Sequence, residues 1–135
     1  MADMDIHITD NSGEVLKALE QKMAAALEAI GITAEGHAKA LTPVGDTGRL
    51  RNSMSHTVVG NDCYIGTNVP YAMWQELGTG IYASDGNGRK TPWTYYDKNG
   101  KLHYTRGVKP KHMLKKAASE HTEEYKKIIE DIMKR

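Results

Sequence analysis

One cysteine, Cys63, stands alone in 135 residues. That excludes an internal disulfide, and with it the stapled frameworks of small secreted domains; the chain suits synthesis in a reducing cytoplasm. Long apolar runs are missing as well. Nothing approaches the ~20 residues that span a bilayer, so no membrane contact through a helix is expected. The amino terminus, MADMDIHITD, is acidic and has no basic segment followed by an apolar stretch, so no signal peptide is expected. Net charge is low, formally +1, and the balance of 39% hydrophobic to 26% charged residues is that of an ordinary soluble domain. No repeat, linker or compositional break divides the chain. A single domain over residues 1–135 is expected, long enough to bury a core.

What is present is unevenly distributed. Residues 1–41 carry seven acidic and three basic side chains, whereas residues 81–116 carry two acidic and nine basic ones. Apolar spacing at Leu16, Leu19, Met23, Ala26, Leu27, Ile30, Ala34, Ala38 and Leu41 predicts a long amphipathic helix over 11–41. Asn11 is the expected N-cap, with Glu14 reaching back, and Thr42 before Pro43 the expected end. Gly31 and Gly36 each weaken this rod by about 1 kcal/mol relative to Ala and leave room for a kink or break near residue 31. A turn-rich stretch with one helical turn around 47–51 follows.

Two strands, 53–59 and 63–67, are predicted on either side of Gly60-Asn61-Asp62. Residues 69–77 predict a short helix with Pro70 in its first turn and Gly78 as a left-handed stop. A second hairpin is expected around Asp97-Lys98-Asn99-Gly100, flanked by Trp93-Thr-Tyr-Tyr96 and Leu102-His-Tyr-Thr105. The stripe Leu114, Ala118, His121, Tyr125, Ile128, Ile132 predicts a last amphipathic helix over 110–133. The expected fold class is α+β: a long N-terminal helix, a small antiparallel sheet built from two hairpins, a short middle helix and a C-terminal amphipathic helix. Residues 81–107 are expected to project as a β-hairpin arm or loop.

Chemistry is hard to place on this chain. Gly86-Asn-Gly-Arg-Lys-Thr91 resembles a phosphate-binding loop only in outline, because Arg89 interrupts the Gly-Lys-Thr order and Pro92 opposes the helix that should follow. The histidines, His7, His37, His56, His103, His112 and His121, show no short-range pairing typical of zinc, and one cysteine cannot complete a thiolate site. No metal and no cofactor are expected. Ser53, His56, Asp46 and Asp62 contain the residue types of a hydrolase without a nucleophile elbow. Cys63, in a predicted strand, reads as a small buried hydrophobe. Asp46 reads as a helix or turn cap. The chain looks non-catalytic.

The basic segment carries the stronger signal. Arg89, Lys90, Lys98, Lys101, Arg106, Lys109 and Lys111 interleave with Trp93, Tyr95, Tyr96 and Tyr104. Three readings stay open: a solvated arm, a loop docking on an acidic protein surface with aromatic anchors, or a nucleic-acid contact through phosphate neutralisation and base stacking. No recognition helix for specific DNA sequence is apparent.

Two phrases complete the picture: Asp46-Thr-Gly-Arg-Leu-Arg-Asn-Ser53 and Val69-Pro-Tyr-Ala-Met-Trp-Gln-Glu-Leu-Gly-Thr-Gly80. They combine residues that set backbone geometry (Gly48, Pro70, Gly78, Gly80) with contact-making side chains (Arg49, Arg51, Tyr71, Trp74), and Glu76 reads as a surface or interface residue. With Thr42-Pro-Val, Ile65-Gly-Thr and the entry Pro110…Leu114…Ala117-Ala118, their order resembles the tail-component family of tailed bacteriophages and prophages, which are neck or head–tail-joining proteins. Gly45 is inserted into the usual Pro-Val-Asp-Thr-Gly run, and Met113 stands where that family often has Phe. The resemblance implies a non-enzymatic virion protein, made in the bacterial host cytoplasm, that forms a homo-oligomeric ring (a hexamer by analogy) between head-connector and tail proteins. Arg49 and Arg51 then suit bidentate carboxylate pairing across an interface, or else cap or solvate a turn. The alternative is a DNA-contacting module, without sequence specificity, lining the virion channel.

Overall fold

Thirty residues, Ser12–Leu41, form one unbroken helix, α1, and most of the other elements pack against it. The computed structural model describes residues 6–44, 48–84, 86 and 88–135. After α1 come α2 (Arg49–Ser53), β1 (Ser55–Val59), β2 (Asp62–Gly66), α3 (Ala72–Leu77), a 3-10 turn (Gly80–Tyr82), β3 (Trp93–Tyr96), β4 (Leu102–Thr105), α4 (Met113–Ser119) and α5 (Thr122–Met133). The α+β class is as expected. The turn residues Gly45, Asp46 and Thr47, and Asp85 and Asn87 of the glycine-rich loop, lie outside the described residues.

The expected weak point in α1 is instead a packing device. Its buried positions, Ala26, Gly31, Ala34 and Ala38, are all small, so the neighbouring elements approach the helix backbone closely. A Cβ built on Gly31 would lie 2.8 Å from His56 Cγ and 3.0 Å from Cys63 Sγ, so hydrogen is all that fits there. The β1–β2 hairpin thus packs on α1 at the residue where the sequence leaves room for a kink or break, and the helix continues through it. Asn11 makes no side-chain cap; Asp10 Oδ1 accepts from the Ser12 N–H instead (2.9 Å). Thr42 ends the helix as expected, and its hydroxyl donates to the Ala38 carbonyl (2.5 Å).

The two hairpins do not share a sheet. β1 pairs with β2 and β3 with β4 as separate antiparallel two-stranded sheets. In the first, the register His56↔Ile65 and Val58↔Cys63 puts all four side chains on one half-buried face, which sits on α1. The core gathers where α1 meets α2, α3 and α4: Ala38, Leu50, Met54, Val69, Ala72, Met113 and Ala117, with Ile65, Tyr71 and Leu114 packed around them. Met113 is wholly buried.

The predicted last helix is two helices. Ser119 Oγ donates to the Lys115 carbonyl and Thr122 Oγ1 to the Ser119 carbonyl, and these local bonds compete with the helical ladder at the break. The Tyr125 hydroxyl reaches back across it to the Ala117 carbonyl. α5 then runs antiparallel to α1, with His37 beside Glu124 at one end and Lys22 donating to the Arg135 carbonyl at the other. Residues 12–21 of α1 therefore extend past the packed body by about 15 Å. The short helix is trimmed to Ala72–Leu77, with Gly78 at φ 80° ending it. Among the described residues, no helix is long and apolar enough to cross a membrane.

Candidate functional site

The second phrase folds into a clamp that holds the base of the arm. Gly78 and Gly80 take φ of 80° and 62°, left-handed conformations that glycine adopts without steric cost. They turn the chain so that it lies along residues 106–112. The Thr79 N–H donates to the Val108 carbonyl (2.8 Å), the Ile81 N–H to the Arg106 carbonyl (3.0 Å), and the Lys111 N–H to the Gln75 carbonyl (2.7 Å). Thr79 Oγ1 accepts from the Val108 N–H (2.9 Å). A Cβ on Gly80 would meet the Arg106 carbonyl oxygen at 2.5 Å and the Trp93 ring at 2.6 Å, so the indole packs directly against bare backbone. Arg89 covers the Trp93 ring, its guanidinium 4.8 Å from the centroid.

Glu76, read from sequence as a surface or interface residue, is committed inside the molecule. Its carboxylate accepts from the Leu114 N–H (2.9 Å) and the Lys115 N–H (3.0 Å), capping α4 across 38 residues of chain. Tyr71 also turns inward, against the core. Trp74 remains exposed beside Met73 and Leu77 on the outer face of α3, next to a groove of about 250 Å³ that ends at Gly78–Gly80. Arg49 and Arg51 lie exposed on α2.

Beyond its base the arm stands on its own. Register Trp93↔Thr105 and Tyr95↔His103 defines one face, where Tyr95 stacks on His103 (5.2 Å). Thr94↔Tyr104 and Tyr96↔Leu102 define the other, and there Tyr96, Tyr104 and Leu102 are 72%, 66% and 54% exposed. Lys90, Lys98, Lys101, Arg106, Lys109 and Lys111 are all exposed around it, with Lys109 near the Tyr82 ring and Lys90 bonded to the Gly86 carbonyl. The acidic residue of the turn, Asp97, is occupied locally: its carboxylate accepts from His103 (2.8 Å) and from the Asn99 and Lys101 N–H groups. These bonds, that of His103 foremost, hold its carboxyl below the usual range. The arm's surface is thus basic and aromatic, with the Asp97 carboxylate at its turn held in local bonds.

The overhanging end of α1 has the opposite character. Val15, Leu16 and Leu19 are exposed, as are Ile6 and Ile8 before the helix. Asp10, Glu14 and Glu20 accompany them, against Lys17.

Of the residue types of a hydrolase, Asp46 lies outside the described residues, and Ser53 and His56 are bonded elsewhere. Ser53 Oγ pairs with the Thr67 hydroxyl and the Leu50 carbonyl. His56 is held by Glu28 (2.6 Å) and Glu35 (3.4 Å) on α1. The Glu28 bond raises its pKa, with Glu35 adding to the effect and partial burial opposing it. Burial, with Glu28 nearby, pushes the Cys63 thiol up, away from nucleophilic reactivity. One constellation was invisible to spacing along the chain: His37 on α1 meets His121 and Glu124 at the start of α5. Comparison with protein-family models, curated proteins and solved structures returned no match for this chain.

Proposed function

We propose that the chain is a non-enzymatic structural subunit of a phage or prophage virion that assembles head-to-tail into a ring at the head–tail junction and joins tail to head. The observation that carries this reading is a pair of exposed apolar faces of opposite charge. One is the Tyr96–Leu102–Tyr104 face of the basic arm; the other is the acidic end of α1 around Leu16 and Leu19. A contact between two different patches on successive copies is heterologous, and repeated around an axis it closes into a ring. A symmetric dimer that paired either patch with itself would set like charges against each other.

Surface area supports the same reading. A compact monomer of 15.0 kDa exposes about 7,000 Å²; this chain exposes 10090 Å². Two contacts per subunit, each hiding about 800 Å² of its surface, are well within that excess. The order of the phrases around 42–53 and 69–80 supports placement in a virion neck, between connector and tail proteins.

The test is to replace residues 94–104 with a short Gly-Ser turn, which leaves the clamp and Trp93 in place. Folded protein is expected, with heads and tails accumulating unjoined in the producing host; normal infectious particles would overturn the reading. Exposed Lys98, Lys101 and Arg106 beside the tyrosines favour one second reading, contact with channel DNA without sequence specificity. It predicts binding that falls steeply with salt and disappears when those three residues become alanine.

A further inference from the structure

We propose that His37, His121 and Glu124 form a zinc site that staples α5 to α1. Glu124 Oε2 lies 3.0 Å from His37 Nε2 and 3.6 Å from His121 Nδ1, and the three ligand atoms fall within 4.8 Å of one another. Tetrahedral zinc with bonds of about 2.0–2.1 Å sets ligand-to-ligand edges of roughly 3.3 Å, midway between those two distances. The donor set, two imidazole nitrogens and a carboxylate oxygen, suits zinc among the common divalent ions, where calcium or magnesium would take oxygen alone. A fourth position faces solvent, since all three side chains are part-exposed.

The two rings are stacked, with centroids 3.5 Å apart and planes 4° from parallel. Parallel rings do not aim both nitrogens at one ion, so binding requires each ring to turn out of the stack about χ2. That torsion is broad for histidine, and part-exposed rings have room to turn. The location gives the ion a purpose. His121 sits at the break between α4 and α5 (φ −120°, ψ 27°), and His37 faces it from near the C-terminal end of α1. Zinc there would lock the angle at which α5 leaves the core.

Zinc chloride titrated into chelator-treated protein tests this by calorimetry and thermal melting. One ion per chain and a melting temperature that rises with zinc are expected. The Co²⁺ form should show a four-coordinate visible spectrum without a thiolate charge-transfer band, which separates this site from Cys63. His37→Ala and Glu124→Gln should each weaken binding about tenfold or more, and His103→Ala, on the arm, should leave it unchanged. Glu124→Gln is nearly isosteric, so it serves if His37→Ala fails to fold. Absence of saturable one-to-one binding, or wild-type affinity after loss of both His37 and His121, would overturn the proposal.

Discussion

The two hairpins of this molecule begin from similar local instructions and end differently. Gly60-Asn61-Asp62 turns β1 into β2, and Asp97 to Gly100 turns β3 into β4; both produce antiparallel pairs in continuous register. The first has a place to bury one face. His56, Val58, Cys63 and Ile65 sit on α1, where Gly31 leaves room and Glu28 and Glu35 receive the imidazole. The second touches the body at its base, through Trp93 on Gly80, and leaves Tyr96, Leu102 and Tyr104 in solvent. A lone two-stranded hairpin is marginal in water, so each needs outside support. One obtains it from its own chain, and under the proposed function the other obtains it from a neighbour.

The largest expected effect comes from breaking the arm's anchorage. Gly80→Ala combines a left-handed φ with overlap against the Arg106 carbonyl and Trp93, and should cost roughly 3 kcal/mol in denaturant unfolding. An unchanged midpoint would mean that the clamp is not what holds the arm. Next, Gly31→Ala should unseat the first hairpin at a net cost of about 1–2 kcal/mol, overpacking outweighing the better helix propensity of alanine. Gly36→Ala on the same helix meets nothing within 4 Å and should instead stabilise by about 0.5–1 kcal/mol. Equal effects at the two glycines would refute a packing role for Gly31.

A pH series sharpens the comparison further. Because Glu28 and Glu35 raise the pKa of His56, its contribution is complete below the usual histidine value near 6.5 and is lost as pH climbs through the raised value. Cys63 lies on the same face, and Lys39 shares Glu35 (3.3 Å). Stability should therefore decline from about neutral pH upward in the wild type, with a flatter profile in His56→Gln. The smallest effect on stability is expected on the arm: Tyr96→Ser with Tyr104→Ser should change unfolding by less than about 0.5 kcal/mol. Under the proposed head-to-tail contact, that variant and Leu16→Asp/Leu19→Asp should each fail to self-associate in sedimentation, while their mixture forms a dimer. A mixture that stays monomeric would remove the arm-to-helix contact, and with it the observation that carries the head-to-tail ring.

Much of the fold was legible in local pattern. The stripe from Leu16 to Leu41, the glycine-rich turns and the Gly78 stop follow from period and backbone sterics within a few residues. The misses are long-range. Gly31 reads as a weakness until His56 is seen above it, 25 positions on. Glu76 reads as a surface charge until α4 arrives with its unsatisfied N–H groups. The single C-terminal stripe hid a break because side-chain bonds at Ser119 and Thr122, with Tyr125 reaching Ala117, compete with a ladder that apolar spacing alone would continue.

Sequence by itself determined the long first helix, the two hairpins, the acid-to-base asymmetry along the chain and the lack of an evident catalytic motif, because each depends on residues close together or on plain composition. Tertiary structure alone decided that the hairpins form separate sheets, that Glu76 caps α4 and that His37 meets His121 and Glu124. Those outcomes depend on which surfaces the long α1 brings within a few ångströms, and no spacing along the chain encodes that distance.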